Sequence, residues 1–231
     1  MPHINKKRPN TRLQIIQLAA RLFIDEGYHN TSFSRISRIL DVSPGNITFY
    51  FKTKEHLLAV LVDELLDFQR LMMEYAADEG KSSLLAYCLE LTAIAAICEE
   101  NAAAREFYIS AYTSEMTLSL IRENDTRKTK EIFLPFCPEW TDENWSATEN
   151  VVSGIEYATI MTKEADTPLP VQIERALNSI MLLYGVPEDL RKIKIQKVLS
   201  MDYRAMGRRI LAEFREYIDK VNEDKLKKAS R

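Results

Sequence analysis

Glycine, proline, cysteine and histidine are all scarce in this sequence. It has six glycines and eight prolines in 231 residues, and no proline falls between Pro44 and Pro135. That interior has nothing to break a helix. Apolar residues recur there at three- and four-residue steps, strict alternation is hard to find, and the chain reads as all-α. The three cysteines, Cys88, Cys98 and Cys137, are odd in number and form no CxxC. This favours reduced thiols and a cytoplasmic location over a disulfide framework. The three histidines, His3, His29 and His56, all lie near the start. The rest of the chain therefore has no histidine-based triad or histidine metal site, and a helical enzyme is the weakest of the alternatives. No cofactor and no metal are expected. Long hydrophobic runs are missing too. LLAVLV and LTAIAAIC fall far short of the ~20 residues that cross a bilayer. No membrane partner is expected, and MPHINKKRPN is followed by no apolar signal region, so no secretory signal is visible.

What is present is a large apolar fraction, 46%, enough for a core in one large domain or two small ones. The net charge of −3 is unevenly spread. Residues 1–56 hold nine basic side chains against four acidic ones, and the remainder is acidic. A basic head on an acidic body points to a polyanion as the partner of the head alone. Lys6, Lys7 and Arg8 form a basic arm that either enters a minor groove or stays a solvated tail.

Helix signals organise the head. A first helix runs from about Thr11 to Glu26 and stops at Gly27. Thr31 or Ser32 caps a second, with Phe33, Ile36 and Leu40 on its apolar face. Asp41 tolerates the positive φ of a tight turn. Ser43 then caps a third helix, Pro44 to about Phe51, with proline at its first position. Thr53 caps a long fourth helix from Lys54 to about Ala77. Two short helices joined by a turn and docked on a first make a helix-turn-helix. In VSPGNITFYFKTK, Ile47 and Phe51 share the inner face with Val42, while Gly45, Thr48 and Phe49 point away.

The body is read more coarsely. Ser82 or Ser83 starts a helix to about Glu100, and further helices lie between Ala102 and Phe133, with a break near Thr113. LPFCPEWTDENW reads as a loop. A Ser146–Glu149 capping box starts a helix to about Glu164. Asp166, Thr167 and Pro168 break the chain. Helices over Val171–Tyr184 and Glu188–Val221 complete it, with a charged tail.

The pattern Ile15-Ile16, Ala19-Ala20, Leu22-Phe23, Gly27-Tyr28, Thr31-Ser32, Ile36-Ser37, Val42-Ser43, Gly45, Ile47, Tyr50-Phe51-Lys52, Lys54-Glu55 and Leu57 resembles the tetracycline-repressor-like (TetR) family of bacterial transcription regulators. The resemblance covers about Thr11 to Leu58. It departs from the family pattern at Asp41, where glycine is usual, at Ser37, where alanine is usual, and at Thr48, where a phosphate-contacting tyrosine is common. It implies a division into a DNA-binding head, 1–56, and a helical ligand-binding and dimerisation body, 57–231. It also implies a third helix seated in the major groove of a palindromic operator on double-stranded DNA. In that groove Thr48, Asn46 and Phe49 suit base edges. Ser43, Thr31, Ser32, Tyr50 and Lys54 suit phosphates. Pro44 and Gly45 bring the backbone close.

For the body the resemblance implies a homodimer and a pocket for a small, partly apolar effector that releases a repressor from DNA. Pocket candidates are Phe68, Met72, Tyr87, Leu91, Tyr108, Tyr112 and Tyr157, since tyrosine hydroxyls want partners and methionine moulds to irregular ligands. Interface candidates are Val151, Gly154, Ile155, Ala158 and Met161 on one helix and Ala176, Leu177, Ile180 and Met181 on the next. The alternative is a body that binds another protein, through Trp140 and Trp145 if these are exposed.

Overall fold

The computed structural model describes residues 11–78, 82–162 and 167–229. Within them the chain forms eleven α-helices and no strand. The basic arm at residues 6–8 and the break at Asp166 lie outside the described residues. Helix α1 (Thr11–Asp25) buries Leu13, Ile16, Ala20 and Phe23, and Gly27 follows it at φ 97°. Helix α2 (Phe33–Leu40) starts at Ser32, whose hydroxyl accepts from Arg35 N–H at 3.2 Å. Asp41 takes φ 52°, ψ 46°, as the turn requires. The hydroxyl of Ser37 donates to Val42 C=O at 2.6 Å and ties the turn shut. Helix α3 (Pro44–Tyr50) is capped by Ser43. Its Ile47 and the following Phe51 are 0% and 2% exposed, so α3 is seated as the apolar spacing predicts.

Helix α4 (Lys54–Asp78) runs from the head into the body. Helix α5 (Ser83–Glu100) is apolar almost all round and becomes the central post of the body. Around it stand α6 (Ala102–Thr113), α7 (Glu115–Phe133), α8 (Asp142–Met161), α9 (Leu169–Leu183), α10 (Glu188–Leu199) and α11 (Tyr203–Ala229). Gly207 lets α11 cross α5 closely: a Cβ there would meet Ala93 O at 2.9 Å.

Two apolar clusters hold the chain. One runs from α1, α2 and α3 through Leu57, Leu61 and Leu65 of α4 to Phe107 on α6 and Phe214 on α11. The other joins α5 to α8, α9 and α10 around Trp145, Tyr184 and Leu177. The first cluster passes through residue 56 without a gap. Helix α11 also clasps the head, with Arg21 pairing with Asp219 at 2.8 Å and Arg215 with Asp25.

Three expectations are corrected. Helix α8 begins at Asp142, inside the expected loop, because Thr141 and Asn144 form the capping box. The expected last helix is two, broken at Ser200–Asp202, where Asp202 Oδ1 accepts from Ala205 N–H at 3.0 Å and restarts the helix. The tryptophans are not an exposed pair. Trp145 is fully buried, with Trp140 packed against it at 4.8 Å between ring centroids.

Candidate functional site

On the outer side of the head, α3 exposes Pro44, Gly45, Asn46, Thr48, Phe49 and Tyr50. Phe49 is 81% exposed, and its ring meets the edge of Tyr50 with centroids 5.1 Å apart. An aromatic left this bare costs hydrophobic free energy unless something covers it. The hydroxyl of Thr48 turns back to Gly45 C=O at 3.2 Å and Pro44 C=O at 3.4 Å. Ser32 and Ser43 are exposed at the starts of α2 and α3, where free N–H groups and helix dipoles favour anions.

Two of the expected phosphate ligands are otherwise engaged. Thr31 is 1% exposed, and its hydroxyl donates to Gly27 C=O at 3.0 Å, which closes the α1–α2 loop and removes it from the outer face. The ammonium of Lys54 donates to Tyr28 C=O and Thr31 C=O at 3.0 and 3.1 Å and lies 4.0 Å from the centre of the Tyr28 ring. Burial lowers its pKa, opposed by Glu55 and Glu106. Lys54 thus staples the same loop from below. From the body, Glu106 on α6 accepts the backbone N–H of His29 in that loop. Glycine suits this place because φ at Gly27 is 97°, which side-chain-bearing residues rarely adopt, and a Cβ would also displace the Glu106 carboxylate, 2.6 Å away.

Inside the body a narrow cavity of about 30 Å³ lies between α4, α5, α6, α7 and α8. Four of the expected pocket residues line it: Tyr87, Leu91, Tyr108 and Tyr112. Three do not. Phe68 packs on Phe214 at 5.4 Å, Met72 rests on the first apolar cluster, and Tyr157 sits outside against Tyr112 at 6.3 Å. Sequence reasoning missed the polar wall, formed by Glu90, Asp125, Lys128 and Glu156. Lys128 lies 2.8 Å from Asp125 and 3.1 Å from Glu90. Burial alone would lower its pKa, but Asp125 and Glu90 outweigh that and hold it well above the ordinary value. Glu149 and Glu156, seven residues apart on α8, share the inner face, which is a signal the sequence did contain. Burial, reinforced by the facing carboxylates, raises the pKa of both.

The expected interface residues divide. On α8, Val151, Gly154, Ala158 and Met161 are exposed and Ile155 is half-buried. A Cβ on Gly154 would meet nothing within 4 Å. On α9, Ala176, Leu177, Ile180 and Met181 are buried in the second apolar cluster, so they pack within the chain and cannot face a partner. The apolar side chains that α9 does expose are Val171, Leu182 and Leu183. All three cysteines are buried free thiols. Among the described residues no helix is long and apolar enough to cross a membrane.

Residues 15–61, which span the three head helices and the start of α4, match the bacterial regulatory proteins, tetR family. The fatty acid metabolism regulator protein of Bacillus subtilis (strain 168) is 38% identical over 61 residues, 26% of this chain and 31% of its own length. The HTH-type transcriptional regulator HbdR of Aromatoleum sp. (strain CIB) is 29% identical over 126 residues, 52% of this chain and 54% of its own. The chain thus spans about a third to a half of the length of these relatives. Among solved structures, CprB of S. coelicolor A3(2), described as a TetR family protein, aligns over 89% of this chain and 96% of its own at 20% identity, with a TM-score of 0.43. Both of the first two relatives are described as regulators. The likeness to the tetR family of bacterial regulatory proteins is thus carried by residues 15–61.

Proposed function

We propose that this chain is a dimeric repressor of transcription that binds a palindromic operator through α3 and is released by a small ligand held in its body. The observation that carries the reading is α3 itself: two turns of helix anchored by Ile47 and Phe51, with Gly45, Thr48 and a bare Phe49 on the other side. A major groove ~12 Å wide accepts such a helix, and Phe49 meets thymine methyls there. Arg38 and Lys52 are exposed nearby and suit the flanking phosphates. In this reading residues 1–56 serve as the head and 57–231 as the body, although one apolar cluster runs through both.

One head reads too few bases to find a site, so two must act together, ~34–36 Å apart along the DNA. The exposed α8 stripe Val151, Gly154, Ala158 and Met161, with Val171 and Leu182 on α9, supplies a self-complementary surface. The effector enters the inner cavity. Only a ligand that binds the released state better than the DNA-bound state shifts the balance.

The test is fluorescence anisotropy of the full chain on the DNA flanking its own gene, at two salt concentrations, beside the Phe49→Ala variant. Saturable binding in two-to-one stoichiometry, weakened by Phe49→Ala, is expected. A chain that ignores this and all other duplex DNA at low salt refutes the reading.

A further inference from the structure

The wall of the inner cavity carries more carboxylate than its one lysine matches. Asp125 and Glu90 are paired with Lys128. Glu156 and Glu149 are left with neutral donors: Tyr87 and Tyr112 donate to the two oxygens of Glu156 at 3.3 and 3.0 Å, and Tyr184 donates to Glu149 Oε2 at 3.0 Å. Glu149 Oε1 is shut off from solvent and has no hydrogen-bond partner, in a side chain only 1% exposed. One carboxylate oxygen each from Asp125, Glu149 and Glu156 lies within 4.8 Å of the other two. A buried acceptor without a partner costs ~1–3 kcal/mol, and carboxylates this close cannot all ionise cheaply. The cluster is relieved by protons or by a cation.

The opposite wall indicates which kind of cation. Asp125 and Glu156, with Glu90 and Lys128 beside them, face a wall that carries Leu65, Leu66, Leu91, Ile94 and Ile121, with the rings of Tyr108 and Tyr112. A hydrated metal ion gains nothing from such a wall. An organic ammonium gains twice: the head from carboxylates and aromatic faces, the hydrocarbon from the leucines. An alkanoate would bring a second negative charge against the cluster.

We propose that this cavity takes an organic cation, with an ammonium head seated on Glu156 and Asp125 beside Glu149 and an apolar body along the α4–α5 wall. The proposal rests on the reading of the cavity as the effector site and names the effector's chemistry. The cavity must open by side-chain and helix shifts, since its volume of about 30 Å³ has room for little more than one water.

Proton linkage supports the same conclusion. The groups facing Glu149 and Glu156 are Tyr87 and Glu90 from α5, Tyr112 from α6, Asp125 and Lys128 from α7, and Tyr184 at the end of α9. Arg122 on α7 turns instead to Ser153, at 3.0 Å. The tyrosines are pushed upward by burial first and stay neutral, and Lys128 stays charged. Burial and mutual repulsion also raise Glu149 and Glu156, so they hold protons at pH values where exposed carboxyls are ionised. A cation displaces those protons, and its affinity rises with pH.

Isothermal titration of the full chain tests this, with alkyltrimethylammonium ions from butyl to decyl, whose charge does not change with pH. Matched alkanoates, matched alkanols and manganese(II) chloride run in parallel. The expected result is an ammonium bound tenfold or more tighter than its matched alkanoate and alkanol. Its affinity should climb from neutral to mildly alkaline pH. Glu156→Gln should lose tenfold or more in ammonium affinity while keeping a cooperative unfolding transition. If that variant does not fold, the wild-type ligand ranking and pH trend decide. Tighter binding of alkanoate or alkanol, saturable binding of manganese(II) alone, or no bound ammonium overturns the proposal. Anisotropy on the DNA flanking the gene separates it from the effector reading. An ammonium that binds and leaves DNA affinity unchanged upholds the site and overturns the effector role. An alkanoate or alkanol that releases DNA upholds the effector role and overturns the cation.

Discussion

Replacing Glu149 by glutamine should make this protein more stable, and by an amount that grows with pH. The carboxyl of Glu149 ionises near 4.5 in an ordinary setting but is pushed above that in the folded chain, first by burial and then by Glu156 and Asp125. Below about 4.5 it is protonated whether the chain is folded or not, and it imposes no penalty. Above that value the unfolded chain releases the proton and the folded chain keeps it, which favours unfolding by about 1.4 kcal/mol per pH unit until the folded group ionises. At pH 7 the penalty is on the order of 3 kcal/mol. Glutamine cannot ionise. Its carbonyl can accept the Tyr184 hydroxyl as Glu149 Oε2 does, and its amide supplies donors where Glu149 Oε1 has no partner. For a chain of this size the midpoint should rise by ~6–12 °C at pH 7, shrinking toward nothing near pH 4.5. Thermal unfolding followed by circular dichroism across that range measures it. A lowered midpoint at pH 7, or an offset that ignores pH, refutes the reasoning.

Three further outcomes are expected. Ser37→Ala removes the 2.6 Å bond to Val42 C=O and leaves that carbonyl of the helix-turn-helix turn without its donor. It should cost about 1 kcal/mol in urea denaturation. Phe49→Ala should leave the unfolding midpoint unchanged, because the ring is 81% exposed, while it weakens DNA binding in the anisotropy titration. Lys54→Ala should lower stability by about 1–2 kcal/mol, because it strips a charged donor from Tyr28 C=O and Thr31 C=O. If its role were only to hold phosphate, denaturation would be unchanged and the slope of DNA affinity against salt would fall by about one.

The head was legible because its signals are local. Ser32, Ser43 and Pro44 act at helix starts, Gly27 and Asp41 take positive φ, and Ile47 and Phe51 set a face within two turns. The body was less so. The break at Ser200–Asp202 uses neither proline nor glycine, only an aspartate cap. Helix α9 is apolar on more than one side, so spacing alone could not tell Leu177, which faces the core, from Leu182, which faces out. The acidic cluster depends on α5, α7 and α8 meeting, and its charges read singly as solvated surface. Thr31 looked like a helix cap or a phosphate ligand until the fold turned its hydroxyl onto Gly27.

The head and the cavity are joined at one loop, and that joint is where the proposed release has to act. Helix α6 places Tyr108 and Tyr112 against the cavity and, two residues before Tyr108, Glu106 on the N–H of His29. Helix α4 lines the cavity with Leu65 and Leu66, about 17 Å along the same rod from Lys54, which holds Tyr28 and Thr31. Both supports end on residues 28–31, the link that sets α2 and α3 against α1. Packed helices shift as units between discrete arrangements, so a ligand that parts α4 from α6 must pull on that loop. Glu106→Ala cuts one support and touches neither α3 nor the cavity wall. It should leave DNA affinity in the absence of ligand within a few-fold of the wild type and ligand affinity unchanged, while the ligand's effect on DNA affinity shrinks. Unaltered coupling in that variant would assign the whole transmission to α4.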